Sequence, residues 1–308
     1  MGIRRFIRKM LKGNDREVLP AGYRYFNTKS VNLSFTKLSY PITESISDDS
    51  EGKYIWQFWW QGEQDMPPMV RRSIDSCRSF CPKDYKWILI TKDNIKDYIE
   101  IPGYILDKVG GGVTLTHLSD YIRLSLLYKY GGLWVDSTCY FTDEIPEDIL
   151  RSNLFFFQTV DFERDILSLN ELSLRTYILN PLGSHTAHIC SSWFIKSKKS
   201  NYFIGAIKTI IEEYWKENDT LIEYFLIHSA ITWVVVNDAV CRKIYSKMPF
   251  YSNVQPHMMQ GVLTEIEDVE LLFSLAKKNS FIHKLTYKLP EKKIKNGSLY
   301  EYILKRNC

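Results

Sequence analysis

Two charged residues, Asp120 and Arg123, stand three positions apart in a segment that is otherwise strongly apolar. Residues at this spacing share one face of a helix, so the carboxylate and the guanidinium can meet. Because a buried charge needs a partner, one interpretation is a structural ion pair. A third residue, Asp136, favours a ligand site instead, because it ends a short apolar strand, and open α/β sheets bind ligands beyond the carboxyl ends of their strands. A carboxylate placed there can accept hydrogen bonds from a ligand or bind a hard cation.

The elements before this segment alternate between strands and helices. Aromatic and β-branched runs predict strands. Apolar residues at helical spacing predict a helix that begins near Pro68 and that Pro82 ends. Asp93 is a candidate cap for a second helix. The alternation predicts a largely parallel sheet. The strands predicted here are Tyr54–Trp60 and Tyr85–Thr91, and the second helix is Asn94–Glu100.

Asp120 and Arg123 fall in a predicted helix from Thr116 to Tyr130, whose left-handed end suits Gly131. The strand that follows runs from Leu133 to Asp136. A run of apolar residues then predicts a central strand, and helical patterns dominate the later part of the chain. These later elements are strand Asn153–Thr159, helices Tyr202–Glu217 and Leu221–Asn237, and a strand near Phe281.

The chain divides into two parts by pattern. Residues 1–52 comprise a basic amphipathic N-terminal helix and a lead-in segment without a clear period, and residues 53–308 form an α/β domain with a helical portion around 200–245. The helix over residues 3–12 has an apolar side and several basic residues, which is typical of an interfacial anchor. Two interpretations stay open for it, namely peripheral membrane contact and an ordinary N-terminal helix or tail.

Composition excludes several classes of protein. The net charge is only +4, so no global basic excess predicts binding to nucleic acid. The scattered cysteines do not form paired Cys-x-x-Cys motifs, which argues against a zinc ribbon. No run approaches the roughly 20 apolar residues of a membrane span, and no signal peptide is apparent. We therefore expect a cytoplasmic location, with peripheral contact to the inner membrane face as an option.

The run from Leu118 to Asp136, which reads LSDYIRLSLLYKYGGLWVD, resembles the donor-site signature of the capsular polysaccharide synthesis glycosyltransferases. That family is related to glycosyltransferase family 32, whose pattern is Ser-Asp-x-x-Arg, a Leu-Tyr helix, Gly-Gly and then Asp-x-Asp. The resemblance implies a GT-A-like fold, with a mostly parallel central sheet flanked by helices. It also implies a nucleotide-sugar donor, a divalent cation, and retention of the anomeric configuration.

The resemblance implies roles for individual residues. Asp120 and Arg123 would hold the donor sugar and its phosphate side, and Asp136 would contact the ribose or the metal. The end of the first strand would meet the nucleotide base. The donor-binding residues implied in this way are Trp59, Gln61, Gly62, Asp120, Arg123, Gly131, Gly132, Asp136, Ser137 and Lys284. The resemblance also places three segments on the acceptor-binding side of the site, namely Asn180–Gly183, Ser192–Phe194 and Tyr224–His228.

The chain departs from the family pattern at one position that bears on the metal. Thr138 stands where the second acid of Asp-x-Asp is expected, so a direct carboxylate ligand is missing. The expected ligands of Mn²⁺ or Mg²⁺ are then Asp136, Thr138 through its hydroxyl, and His283, whose imidazole is a suitable metal ligand. A structural role for His283 is the alternative.

The resulting hypothesis is a metal-dependent glycosyltransferase that moves a sugar, from a UDP-sugar by resemblance, to a polysaccharide or glycolipid acceptor in capsule or cell-surface glycan synthesis. The alternative is a catalytically degenerate protein that binds a nucleotide sugar or a glycan, which the missing acid at Thr138 favours. A peripheral membrane scaffold and a nucleoside-diphosphate hydrolase are further alternatives. The retaining route stays open between front-face attack and double displacement.

Overall fold

The computed structural model describes residues 21–28, 52–158 and 189–306. The proposed anchor at residues 3–12 and the acceptor-side segment 180–183 lie outside these ranges, and so does Thr159 at the end of a predicted strand. In the part of the chain that the structure describes, no helix combines the length and the apolar composition that crossing a bilayer requires.

A five-stranded sheet forms the centre of the molecule, with the strand order β2-β1-β3-β6-β5. Strand β1 pairs in parallel with β2 and β3, whereas β6 is antiparallel to both β3 and β5. Four of the five strands therefore point the same way, and the prediction of a mostly parallel sheet is confirmed. The strands are β1 Tyr54–Phe58, β2 Lys86–Ile90, β3 Gly132–Val135, β5 Leu154–Gln158 and β6 Cys190–Ser197.

A separate two-stranded ribbon lies beyond the end of β3. It consists of β4 Cys139–Phe141 and β7 Ile282–Lys284, which pair in an antiparallel manner. Its register places Lys284 opposite Cys139. The ribbon thus brings a residue from near the C-terminus next to the loop that carries Asp136.

Helices cover the sheet on both sides. Helix α4 is buried at every position from His117 to Leu127, because it packs between β1, β3 and β6 on one side and α6 on the other. The helices are α1 Ala21–Thr28, α2 Pro68–Ser79, α3 Gly103–Leu106, α4 Leu115–Tyr130, α5 Glu147–Arg151, α6 Tyr202–Glu217, α7 Leu226–Asn237, α8 Ala239–Tyr245, α9 Met258–Gly261, α10 Val269–Asn279 and α11 Leu299–Lys305.

Two local predictions need correction, and one strand was missed. The predicted helix Asn94–Glu100 is only a 3-10 turn, Ile95–Asp97. The Asn94 side chain accepts a hydrogen bond from the Thr91 amide and donates one to the Leu89 carbonyl, which fixes a turn instead of a helix start. The second late helix begins at Leu226 and not at Leu221. The long strand β6 was not predicted at all.

Helix α1 lies in the segment for which the sequence showed no clear period. It packs against α7, and Phe26 is only 1% exposed within the main core. Part of the region before residue 53 is therefore continuous with the core of the α/β domain.

Two consecutive glycines join α4 to β3 and fix the position of Asp136. Gly131 and Gly132 have φ values of +72° and +101°, which favour glycine over other residues. A Cβ on Gly132 would overlap the carbonyl oxygen of Tyr54 in β1. The Gly-Gly pair thus allows a sharp turn and the close approach of β3 to its neighbour.

Candidate active site

Asp120, Arg123 and Asp136 form one cluster. Arg123 lies 3.1 Å from an oxygen of Asp120 through Nη1 and 3.3 Å from Oδ1 of Asp136 through Nη2. Its guanidinium also lies over the ring of Trp134, with a distance of 5.1 Å to the centroid. One arginine therefore joins the helix face to the strand end. Arg123 forms an ion pair with Asp120 and another with Asp136.

Hydrogen bonds to the neighbouring elements hold the Arg123 guanidinium in place. Nη1 donates to the carbonyl oxygen and the hydroxyl of Ser192 in β6, at 2.8 and 2.7 Å, and Nη2 donates to the hydroxyl of Ser119 at 3.0 Å. The side chain of Arg123 is only 4% exposed. Arg123 thus orients the two carboxylates from the buried side of the cluster, instead of presenting its guanidinium to a ligand.

Asp136 and Lys284 form the more exposed side of the cluster. The Lys284 Nζ donates to Oδ2 of Asp136 at 2.8 Å and to the Thr138 hydroxyl at 2.6 Å. Oδ1 of Asp136 accepts from the indole N–H of Trp134 at 2.8 Å. The side chains of Asp136 and Lys284 are 22% and 21% exposed, so this side is the one that a ligand can reach.

Burial and charge act differently on the two carboxylates. Burial raises the pKa of the Asp120 carboxyl to about 7, against the opposing effect of Arg123 and with a further rise from Asp136. Burial also acts to raise the pKa of Asp136, but the charges of Lys284 and Arg123 outweigh it and hold that pKa below its usual range. For Lys284, burial lowers the pKa, but Asp136 outweighs it and the net pKa is raised. At neutral pH the ion pair between Asp136 and Lys284 is therefore fully charged.

The end of β1 lies beside the cluster. The hydroxyl of Ser137 donates a hydrogen bond of 2.7 Å to the carbonyl oxygen of Phe58, the last residue of β1. Trp59 follows directly, is half-buried, and packs edge-on against Tyr287. Gln61 is exposed, and Gly62 has a φ of +87° with open space where a side chain would stand.

A family model described as capsular polysaccharide synthesis protein matches residues 24–303. The chain belongs to this family. The match includes the cluster and begins within helix α1.

Three curated relatives to which this chain is similar carry glycosyltransferase names. The O-glycosyltransferase PaGT of Phomopsis amygdali is 32% identical over 111 residues, 31% of this chain and 27% of its own. The O-glycosyltransferase braB of Annulohypoxylon truncatum is 26% identical over 172 residues, 53% of this chain and 38% of its own. The glycosyltransferase afumC of Aspergillus fumigatus is 33% identical over 113 residues, 34% of this chain and 28% of its own. The chain thus spans between 27% and 38% of the length of these relatives.

Among solved structures, the PaToxG glycosyltransferase aligns over 92% of this chain and 94% of its own. The identity is 13% and the TM-score is 0.35, which is too low to support an argument about the type of fold.

The residues expected to bind a divalent cation do not fit one as they are arranged. Both oxygens of Asp136 already accept hydrogen bonds, and the Thr138 hydroxyl faces the ammonium of Lys284. His283 is fully buried with its Nε2 3.1 Å from the Thr142 hydroxyl, and adjacent strand residues point to opposite faces, so it does not accompany Lys284 into the cluster. Across residues 21–28, 52–158 and 189–306, no group of three or more His, Cys, Asp or Glu residues is placed to hold a metal.

Two contacts of the site were not predicted from the sequence, although Ser192 lies in a segment assigned to the acceptor side. Trp134 binds Asp136 through its indole N–H, and Ser192 holds Arg123. The only signal for Trp134 was its place two residues before Asp136, where side chains of a strand point to the same face. No signal could have placed Ser192 beside Arg123, because the contact depends on the pairing of β6 with β3.

Proposed function

We propose that this protein is a glycosyltransferase that moves a sugar from a nucleotide-sugar donor to a hydroxyl group of a glycan or lipid-linked glycan. The observation that carries the proposal is the cluster in which Arg123 holds Asp120 and Asp136 beside Lys284, at the carboxyl end of β3. Ligands of α/β sheets bind at such ends. The glycosyltransferase names of the three relatives and the family membership support the proposal.

Each side chain has a role that its exposure and charge support. Asp136 accepts hydrogen bonds from hydroxyl groups of the donor, because its carboxylate is charged and partly exposed. Lys284 donates to an oxygen of the diphosphate, which carries increasing negative charge as the glycosidic bond breaks. Asp120 contacts the donor sugar, and Arg123 is a positioning residue that aligns both carboxylates.

The nucleotide base lies, in this proposal, along the segment after β1. The hydrogen bond between Ser137 and Phe58 keeps that segment next to the cluster. Trp59 offers an aromatic surface, and Gly62 leaves open space for a ligand. The finer parts of the proposal are a GT-A-type fold, a relation to glycosyltransferase family 32, a UDP-sugar donor and retention of configuration. They are supported by the resemblance of residues 118–136.

The test is release of free nucleoside diphosphate from a panel of nucleotide sugars, with an extract of glycans and glycolipids as acceptor. The native protein is compared with Asp136→Ala and Asp120→Ala. Asp107→Ala is the matched control, because Asp107 is an exposed aspartate at the end of α3. We expect release with one donor, retained in the control and lost in both site variants.

The second candidate function is binding of a nucleotide sugar without turnover. The specific observation in its favour is Thr138, which supplies a hydroxyl where the family pattern has an acid. Calorimetric binding of a donor with no release under any acceptor condition would replace the transferase proposal with this one. If no nucleotide sugar binds at all, both functions are refuted.

A further inference from the structure

The ammonium of Lys284 lies between Asp136 and Thr138, two of the residues that the sequence predicts as ligands of a divalent cation. In the Asp-x-Asp pattern that the sequence resembles, acids would stand at positions 136 and 138 and would hold the cation. Here the Lys284 Nζ lies between those two residues, 2.8 Å from Oδ2 of Asp136 and 2.6 Å from the hydroxyl of Thr138. The antiparallel pairing of Lys284 with Cys139 sets this position, because it fixes the lysine across the ribbon from the loop that carries both residues.

We propose that Lys284 replaces the divalent cation of this transferase, so that the donor diphosphate is bound and neutralised without added metal. The inference rests on the proposed function, and it identifies the Lys284 ammonium as the positive charge that contacts the diphosphate. It differs from the metal-dependent hypothesis, in which Asp136 and Thr138 themselves bind the ion.

The pairing at positions 138 and 284 supports the replacement. A second carboxylate at position 138 would suit a dication, whereas a threonine hydroxyl accepts a hydrogen bond from an ammonium without adding charge. A dication placed beside Asp136 would also be repelled by the ammonium of Lys284 and by the guanidinium of Arg123. The absence of an acid at position 138 and the presence of Lys284 are therefore consistent with each other.

The ammonium keeps the capacity to bind a phosphate oxygen. A lysine has three N–H donors, and Asp136 and Thr138 take two of them. The side chain of Lys284 is 21% exposed, so the third donor can reach a ligand. Lysine is a common ligand of phosphate groups as a point charge.

In this position Lys284 would assist a direct transfer of the sugar to the acceptor. The bond between the anomeric carbon and the diphosphate oxygen breaks, and its electron pair stays on the diphosphate. The acceptor oxygen forms the new bond to the anomeric carbon, and the acceptor proton passes to the departing diphosphate. Lys284 remains protonated throughout and stabilises the negative charge that develops on the leaving group.

The test measures binding by calorimetry with uridine diphosphate, guanosine diphosphate and inorganic pyrophosphate as probes, in EDTA and in manganese chloride. We expect the native protein to bind at least one probe equally well in both conditions. Lys284→Ala should weaken that binding in EDTA by about 10- to 100-fold, the loss of one hydrogen bond between charged groups. Lys277→Ala is the control, because Lys277 is an exposed lysine in the last turn of α10.

The double variant Thr138→Asp/Lys284→Ala restores the second acid and removes the ammonium. We expect its binding of the same probe to require manganese, in contrast to the native protein. Native binding or donor turnover that disappears in EDTA and returns with manganese would overturn the inference while leaving the proposed function intact. An absence of binding and turnover in both conditions would instead refute the proposed function itself.

Discussion

Replacing Asp120 by asparagine should change how stability depends on pH. Burial raises the pKa of Asp120 to about 7 in the folded protein, whereas an unfolded aspartate has a pKa of about 3.9. Because the folded pKa is the higher one, the folded state must give up stability as pH rises from about 4 to 7, and the loss is complete above pH 7. Asparagine does not titrate, so the variant is free of this loss.

The magnitude follows from the linkage between proton binding and folding. Where the unfolded aspartate is ionised and the folded one is protonated, each pH unit lowers the unfolding free energy by about 1.4 kcal/mol. This condition holds from pH 5 until the pH approaches the folded pKa of about 7. The unfolding free energy of Asp120→Asn minus that of the native protein should therefore rise by about 2 kcal/mol over this interval. Asp136 does not contribute there, because Lys284 and Arg123 keep its pKa low despite burial.

The assay is urea unfolding at pH 5, 6, 7 and 8, followed by tryptophan fluorescence. Asp107→Asn serves as the control for the general loss of one exposed negative charge. A difference between Asp120→Asn and the native protein that stays constant from pH 5 to pH 7 would refute the reasoning. It would mean that Arg123 keeps Asp120 ionised in spite of its burial.

Three further substitutions and one control variant, Gly62→Ala, test the packing around the site and in the core. Gly132→Ala should destabilise the protein by about 2 kcal/mol or more, since a Cβ there adds a backbone overlap to a positive φ. Gly62→Ala, also at positive φ but in open space, should cost less. Trp134→Phe should cost about 1.5 to 3 kcal/mol, because it removes the hydrogen bond to the charged Asp136. Phe26→Ala should cost about 3 to 5 kcal/mol, as expected for a buried phenylalanine.

Chemical denaturation measures all three effects. Equal losses for the two glycine variants would disprove the overlap with β1. A phenylalanine variant at position 134 as stable as the native protein would show that the indole hydrogen bond contributes nothing to folding. Full stability of Phe26→Ala would show that α1 does not belong to the core.

The sequence was sufficient for the elements that carry a strong local pattern. Helix α6, Tyr202–Glu217, was predicted with the bounds that the structure has, because its apolar residues recur at helical spacing. The helix, glycine turn and strand around Asp120 and Asp136 were also predicted to within two residues. These elements alone predict that the two carboxylates and Arg123 lie near one another.

Strand β6 could not be predicted, because its identity depends on its neighbours. Its sequence, CSSWFIKS, mixes serines and a lysine with apolar residues, and all eight residues are buried between β3 and β5. Which of the two adjacent residues, His283 or Lys284, faces the cluster was likewise not predictable, because it depends on how β7 pairs with β4. The metal ligands were predicted from residue types alone, without knowing on which face of the strand each side chain lies. The chemistry of each side chain was predictable from its residue type, but the face of the strand on which the side chain lies was not.

The alternation of charge in the cluster has a consequence for the field around the protein. Above pH 7, where Asp120 is ionised, the cluster carries two negative and two positive charges of alternating sign, on Asp120, Arg123, Asp136 and Lys284. Such an arrangement has no net monopole, so its potential decays over a short distance. An anionic nucleotide would then gain little attraction before contact, and we expect its association rate to depend only weakly on ionic strength.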